Sequence, residues 1–324
     1  MIAQSDRLTY VHSDIRGPLY VEALRMQAAG TPVLKLNTGN PGNFGFRLPD
    51  SVRNALLEQV DKAVPYCDVR GMAEARQAIR NYHVSRGLQG VTLEDIYICN
   101  GVSEAVSMLM KALVGTGDEV LVPSPCYSLW SNNTYLGGGK PVHYRCAPEN
   151  DWNPDLEDIR RKITSRTKAI LVINPNNPTG AVYSKETLLA IAQLAREHHL
   201  LLLADEIYDR LVLENLPTYS LAALAPDVPC VTFNGLSKSH IICGFRCGWM
   251  VFSGPKEELA GIEQGVMQLA AMRLCGNALT QLVIPGHGFD WFEDLRFRIV
   301  MLPEPQVITQ AMEQLGDFLE RHRR

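Results

Sequence analysis

Six short apolar runs, at residues 96–99, 119–122, 169–173, 200–204, 231–233 and 248–252, alternate along this chain with amphipathic stretches. A strand with one wet face would alternate apolar and polar residues. Runs that stay apolar at successive positions are buried on both faces. Helical periodicity falls between them, at 72–86, 103–113 and 185–198. That alternation builds a sheet covered by helices. The expected fold class is α/β, with a large domain whose central sheet is mostly parallel and flanked by helices. The chain has 324 residues, 46% of them hydrophobic, which is ample for such a core and long enough for about two domains. Residues 1–46 hold no unit of this kind. We expect residues 47–279 to form the large domain, and residues 1–46 to join 280–324 in a smaller α+β domain.

Charge and composition exclude several classes. Charged residues are 20% of the chain, the net charge is −4, and no basic stretch could face a nucleic acid. The eight cysteines are scattered without a CxxC pair, so neither a disulfide framework nor a zinc site is expected. Cys243 and Cys247 read as packing residues, and His198-His199 as solvated ones. No metal is called for. The first ten residues lack an apolar signal core, and no apolar run reaches the roughly 18 residues of a membrane span. A cytoplasmic protein with neither membrane nor nucleic-acid partners is expected. GxGxxG is absent, and Gly137-Gly-Gly-Lys140 runs into Pro141, so nicotinamide and P-loop sites are unsupported.

The chemistry should gather where the strands end, because ligands of open α/β sheets bind beyond the strands' carboxyl ends. Asp205 closes the run Leu200-Leu-Leu-Leu-Ala204, with Tyr208 three residues on. Lys238 follows another apolar run, in Asn234-Gly-Leu-Ser-Lys238, and Arg246 lies eight residues further. Taken singly, these read as a helix cap, a solvated lysine and a surface arginine. Together they make a set. Ser103 and Ser237 add hydroxyls, and Gly101-Val-Ser-Glu104 opens a helix whose free N–H groups attract an anion. An arginine, hydroxyls and a helix N-terminus suit a phosphate. A lysine beside them suits a carbonyl cofactor held as a Schiff base, and a carboxylate suits the ring nitrogen of pyridoxal phosphate. Asn177, in the turn Asn174-Pro-Asn-Asn-Pro-Thr-Gly180, is either turn chemistry or an amide aimed at cofactor and substrate.

These residues, with Asp14-Ile-Arg-Gly-Pro18, Leu36-Asn-Thr-Gly-Asn-Pro41, Tyr66-Cys-Asp-Val-Arg-Gly71, Gly248-Trp249 and Arg298-Ile-Val-Met-Leu-Pro303, resemble the class I/II aminotransferases of pyridoxal-phosphate fold type I. Within that family they resemble the bacterial glutamate–pyruvate (alanine) aminotransferases. The resemblance implies that Lys238 carries pyridoxal 5'-phosphate and that Asp205 pairs with its ring nitrogen. Tyr208 and Asn177 would contact the ring oxygen, and Tyr127 would stack on the ring. Ser103, Glu104 through its backbone, Ser237 and Arg246 would hold the phosphate. Tyr66 would reach the cofactor of the partner subunit in a homodimer. Arg298 would clamp the carboxylate of an amino acid or 2-oxo acid substrate, with Gly39 and Asn177 beside it. Arg16 offers a guanidinium for the second carboxylate of glutamate. Only 60 positions separate Lys238 from Arg298. The family's spacing is longer, so the small domain is expected to be incomplete, with the break near 279–282. Transamination of L-alanine with 2-oxoglutarate is the expected reaction. A β-lyase of the same fold and a non-catalytic cofactor-binding remnant are the alternatives.

Overall fold

In the computed structural model, residues 2–12, 17–34, 44–212, 216–285 and 305–321 are described. In chain order they form α1 (Pro18–Ala28), α2 (Asp50–Gln59), α3 (Ala73–Ser85), β1 (Ile96–Asn100), α4 (Val102–Leu113) and β2 (Glu119–Ser124). There follow α5 (Leu129–Gly137), β3 (Lys140–Arg145), α6 (Leu156–Lys162), β4 (Thr167–Ile173), α7 (Lys185–Glu197) and β5 (Leu201–Asp205). The series closes with α8 (Leu221–Leu224), β6 (Cys230–Gly235), α9 (Leu236–Ser239), β7 (Cys247–Ser253), α10 (Lys256–Arg273), α11 (Ala278–Gln281) and α12 (Pro305–Arg321).

All seven strands join one sheet in the order β1-β7-β6-β5-β4-β2-β3. The pairs among β2 to β6 are parallel, and β7 runs antiparallel to both β6 and β1. The six apolar runs of the sequence are six of these strands. The seventh, β3, was not expected. It lies at the sheet's edge, contains Pro141 and has both ends exposed, so its sequence lacks the apolar continuity of a central strand.

The strands divide their side chains between two cores. Ile170 and Val172 of β4 pack on one face, with Ile79 of α3 and Leu188 and Ile191 of α7. Leu171 and Ile173 of the same strand pack on the other, with Val106 and Leu109 of α4, Trp130 of α5 and Val266 of α10. Burial on both faces is why these runs carry no polar alternation. Helix starts are locally specified: the Ser184 hydroxyl accepts from Thr187 N at 3.2 Å, and the Asp155 carboxylate from Asp158 N at 2.9 Å.

The chain divides into two compact units, residues 1–12 with 48–293 and residues 13–47 with 294–324. Residues 280–285 therefore belong with the sheet, where the sequence assigned them to the smaller domain. Val283 and Ile284 are part of its core, and Gln281, fully buried, accepts from Met72 N at 2.7 Å. In the second unit the described elements are α1, with a proline in its first turn, and α12.

Candidate active site

Parallel strands present their carboxyl ends to one edge of a sheet, and the candidate residues follow those ends. Asp205 is the last residue of β5, in register with Ile173 of β4 and Phe233 of β6, and is 5% exposed. Its two oxygens each accept one hydrogen bond: Trp130 Nε1 donates to Oδ2 at 3.0 Å and Ile207 N to Oδ1 at 3.3 Å. Burial outweighs those two donors and pushes the carboxyl up to about 6. A buried acid in this condition is stabilised by a cation set against it.

Lys238 sits in the short helix α9 that leaves β6, with its Nζ 6.0 Å from the centroid of the Tyr208 ring. Its ammonium has no hydrogen bond or ion pair among the described residues. Burial lowers its affinity for a proton; Cys243 works against that, and the Arg246 charge adds to it. The Tyr208 phenol is pushed well up, first by burial and then by the charges of Asp205 and Tyr127. Asp205, Tyr208, Tyr127 and Lys238 thus share one neighbourhood.

Arg246 adopts a left-handed backbone (φ 59°), uncommon for a residue with a side chain. Its Nη1 donates to Cys243 O at 2.8 Å. The guanidinium lies directly over Gly101, which precedes α4. A Cβ at Gly101 would stand 2.2 Å from Arg246 Nη2, and φ there is 82°. Gly248 meets the same turn, where a Cβ would come within 2.4 Å of Val102 N. The N-terminus of α4 and the guanidinium therefore converge on one spot. The hydroxyls of Ser103 and Ser237 have no hydrogen-bond partner among the described residues. We expect Gly101→Ala to displace the guanidinium and weaken cofactor affinity by at least about 10-fold, since charge-assisted bonds to phosphate are among the strong ones. Titration of the apo-protein with pyridoxal phosphate measures it, and unchanged affinity would separate Arg246 from the phosphate.

Other expected residues fall as follows. Asn177 is half-buried, and its amide is unpartnered among the described residues. The turn around it is held instead by Asn174 Oδ1, which accepts from Tyr183 N at 2.9 Å, and by Asn176 Oδ1, which accepts from the Thr179 hydroxyl at 2.9 Å. The Glu104 carboxylate is spent on structure. It accepts from Asn100 N and from Arg273 Nη1, both at 2.6 Å, and the Glu104 N–H donates to Gly101 O at 3.1 Å. Tyr66 is 79% exposed. Arg16, Gly39 and Arg298 lie outside the described residues. Among the described residues no His, Cys, Asp and Glu side chains cluster to hold a metal, and all eight cysteines are free. Trp130 was missed by the sequence reading. Its signal was faint: an indole five residues past the proline that follows β2, in a segment without clear periodicity. A buried indole N–H needs an acceptor, and only the fold shows that the acceptor is Asp205.

The donor set fits a phosphorylated pyridine aldehyde. A buried acid answers a ring-nitrogen cation, a desolvated lysine answers an aldehyde, and a guanidinium with two idle hydroxyls at a helix N-terminus answers a phosphate.

Comparison with known proteins agrees. The model of the family described as aminotransferase class I and II matches residues 31–282. The glutamate–pyruvate aminotransferase of Escherichia coli is 50% identical over 283 residues, which are 87% of this chain and 70% of that protein. The alanine aminotransferase of Mycobacterium bovis is 48% identical over 283 residues, 87% of this chain and 66% of its own length. Among solved structures, the alanine aminotransferase of Pyrococcus furiosus superposes with a TM-score of 0.85 at 34% identity, covering 98% of this chain and 78% of that one.

Proposed function

Because this chain belongs to the class I and II aminotransferases, which use pyridoxal phosphate, we propose that it moves the amino group of L-alanine to 2-oxoglutarate, giving pyruvate and L-glutamate. The observation that carries the chemistry is the desolvated Lys238 amine facing Tyr208 with Asp205 buried nearby. The two named relatives support the choice of substrates.

Pyridoxal phosphate, when bound, supplies a carbonyl that condenses with amines and a ring that accepts electron density. The remaining work falls to side chains. Arg246, Ser103 and Ser237 would hold the phosphate. Asp205 would hold a proton on the ring nitrogen by its charge, with its carboxylate fixed by the Trp130 indole N–H. Tyr208 and Asn177 would steady the ring oxygen, and Tyr127 would pack on the ring. Lys238 would hold the cofactor's carbonyl carbon, and its free Nζ would take the proton from the substrate Cα, which a low proton affinity allows. Arg298 and Gly39 bind the α-carboxylate in this reading.

The working unit in this reading is a cytoplasmic homodimer with Tyr66 directed to the partner's cofactor. Exposed apolar side chains support the dimer: Leu57, Val60, Val64, Met272, Leu274 and Leu279. The helix bearing Leu279 lies against residues 60–63, which joins two stretches distant in sequence into one patch. Free cysteines throughout support a reducing compartment. No helix among the described residues is long and apolar enough to cross a membrane.

Half-reactions measured separately test the substrate choice. Alanine should convert the aldehyde form of the enzyme, and 2-oxoglutarate the amine form. Pyruvate released together with a thiol from a sulfur-bearing substrate, without amino transfer, would select the β-lyase instead. If Arg16 binds the distal carboxylate, Arg16→Ala should lower kcat/KM for glutamate and 2-oxoglutarate at least about 10-fold, the worth of a hydrogen bond to a charged group. Alanine and pyruvate should be nearly unaffected. Equal losses on both sides would make Arg16 structural.

A further inference from the structure

Behind the candidate site lies a buried carboxylate with no part in the chemistry above. Asp209 is 5% exposed and directly follows Tyr208. Its Oδ2 accepts from the Tyr82 hydroxyl and from Asn234 Nδ2 at 2.9 Å, and Arg86 Nε stands 3.5 Å away. Tyr82 is on α3, with Arg86 just past its end. Asn234 is on β6, four residues before Lys238, and its Oδ1 accepts from Gly235 N at 2.7 Å. Around this group, Arg210 packs over the Tyr82 ring at 4.4 Å, and Glu206 is buried with its Oε1 accepting from Leu221 N at 3.0 Å.

One carboxylate oxygen thus joins three segments: the turn that carries Tyr208, the strand end that leads to Lys238, and α3. A buried carboxylate is costly unless well paired, and removing a partner from such a pair is costlier than replacing the whole. Consecutive Cα atoms are about 3.8 Å apart, so a shift at Asp209 reaches Tyr208 almost undiminished.

We propose that Asp209 is a positioning residue, setting the Tyr208 phenol and the Lys238 amine in fixed relation by clamping the β5 turn to the end of β6. The inference rests on the reading of Lys238 and Tyr208 as cofactor residues. Packing alone does not account for the arrangement, because an apolar side chain of similar size would fill the volume without joining the two strand ends.

The test uses the holoenzyme. Asp209→Ala, which removes the oxygen that joins the three segments, should lower kcat on the order of 10- to 100-fold, the cost of a misplacement near 1 Å, while KM changes little. The pH at which the bound cofactor's absorption band changes should move as well, because the phenol facing the cofactor has moved. In a Tyr208→Phe background the same substitution should cost clearly less in both readouts, since one of the two groups it sets is gone. A fall in melting temperature with kcat and the spectral midpoint unchanged would overturn the proposal, and so would equal losses in both backgrounds. If Asp209→Ala does not fold, Asn234→Ala cuts the clamp and leaves the carboxylate with Tyr82 and Arg86. Unchanged kcat and spectrum in that variant would overturn the proposal too. Failure of the underlying reading is distinct: Tyr208→Phe and Lys238→Ala would then leave turnover intact whatever Asp209 does.

Discussion

Lys238→Ala should abolish transamination and covalent cofactor attachment together. Attachment and proton transfer at the substrate Cα both need this one amine, and loss of a positioned general base alone costs up to roughly 10,000-fold. The proposed phosphate ligands, Ser103, Ser237 and Arg246, keep their side chains in this variant, so pyridoxal phosphate should still bind, reversibly. Intact mass after borohydride reduction reads attachment, and dialysis reads reversibility. A cofactor adduct that survives reduction in the variant, with no substrate amine present, would move the assignment to another lysine.

Asp205→Asn should bind cofactor and lose turnover by roughly 100- to 1000-fold, the scale set by removing a preorganised charge from a desolvated site. Asparagine keeps the size of the side chain and can still accept from Trp130 and Ile207. It cannot hold a proton on the ring nitrogen. The same substitution should stabilise the apo-protein at neutral pH. The Asp205 carboxyl stands near 6 in the folded chain against an ordinary 3.8. Between those values the folded state binds more protons than the unfolded one. Stability contributed at this residue is therefore highest at low pH and declines as pH rises through about 4 to 6. Above that window the ionised carboxylate costs at most about 3 kcal/mol, and the amide is free of this cost. The melting temperature of the apo variant should exceed that of the parent at about pH 8, and the gap should narrow toward about pH 5. A gap independent of pH would show that Asp205 is not the group titrating, and near-normal turnover would reduce it to a cap.

Turnover and the stability of the apo-protein pull in opposite directions at Asp205. A site built to hold a cofactor keeps a charge that the empty protein would be more stable without, and stability is commonly traded for function in this way.

Much of this was legible along the chain. The strands of the sheet other than β3 carry their own signature, because burial on both faces removes polar residues from a short segment. Asp205 and Lys238 stood out because each follows such a run by a few positions, where the fold rule places ligands, and Arg246 because it lies eight residues beyond Lys238. Gly101 could be singled out at the start of a helix, but its reason could not. That reason is the Arg246 guanidinium, 145 positions away in sequence and within 2.2 Å of where a Cβ would stand. Trp130 and Asp209 were silent for a similar cause. Trp130 reads as one more core aromatic until α5 is packed over the end of β5, and only then does its N–H meet Asp205. Asp209 reads as a turn acid until Tyr82 and Asn234 arrive from α3 and β6. Periodicity and turn chemistry are local, so the sequence by itself determined which segments become strands and helices and which residue types gather at their ends. A hydrogen bond between segments 75 or 127 residues apart depends on how those segments pack, and tertiary structure alone decided which acid meets Trp130 and which one meets Tyr82 and Asn234.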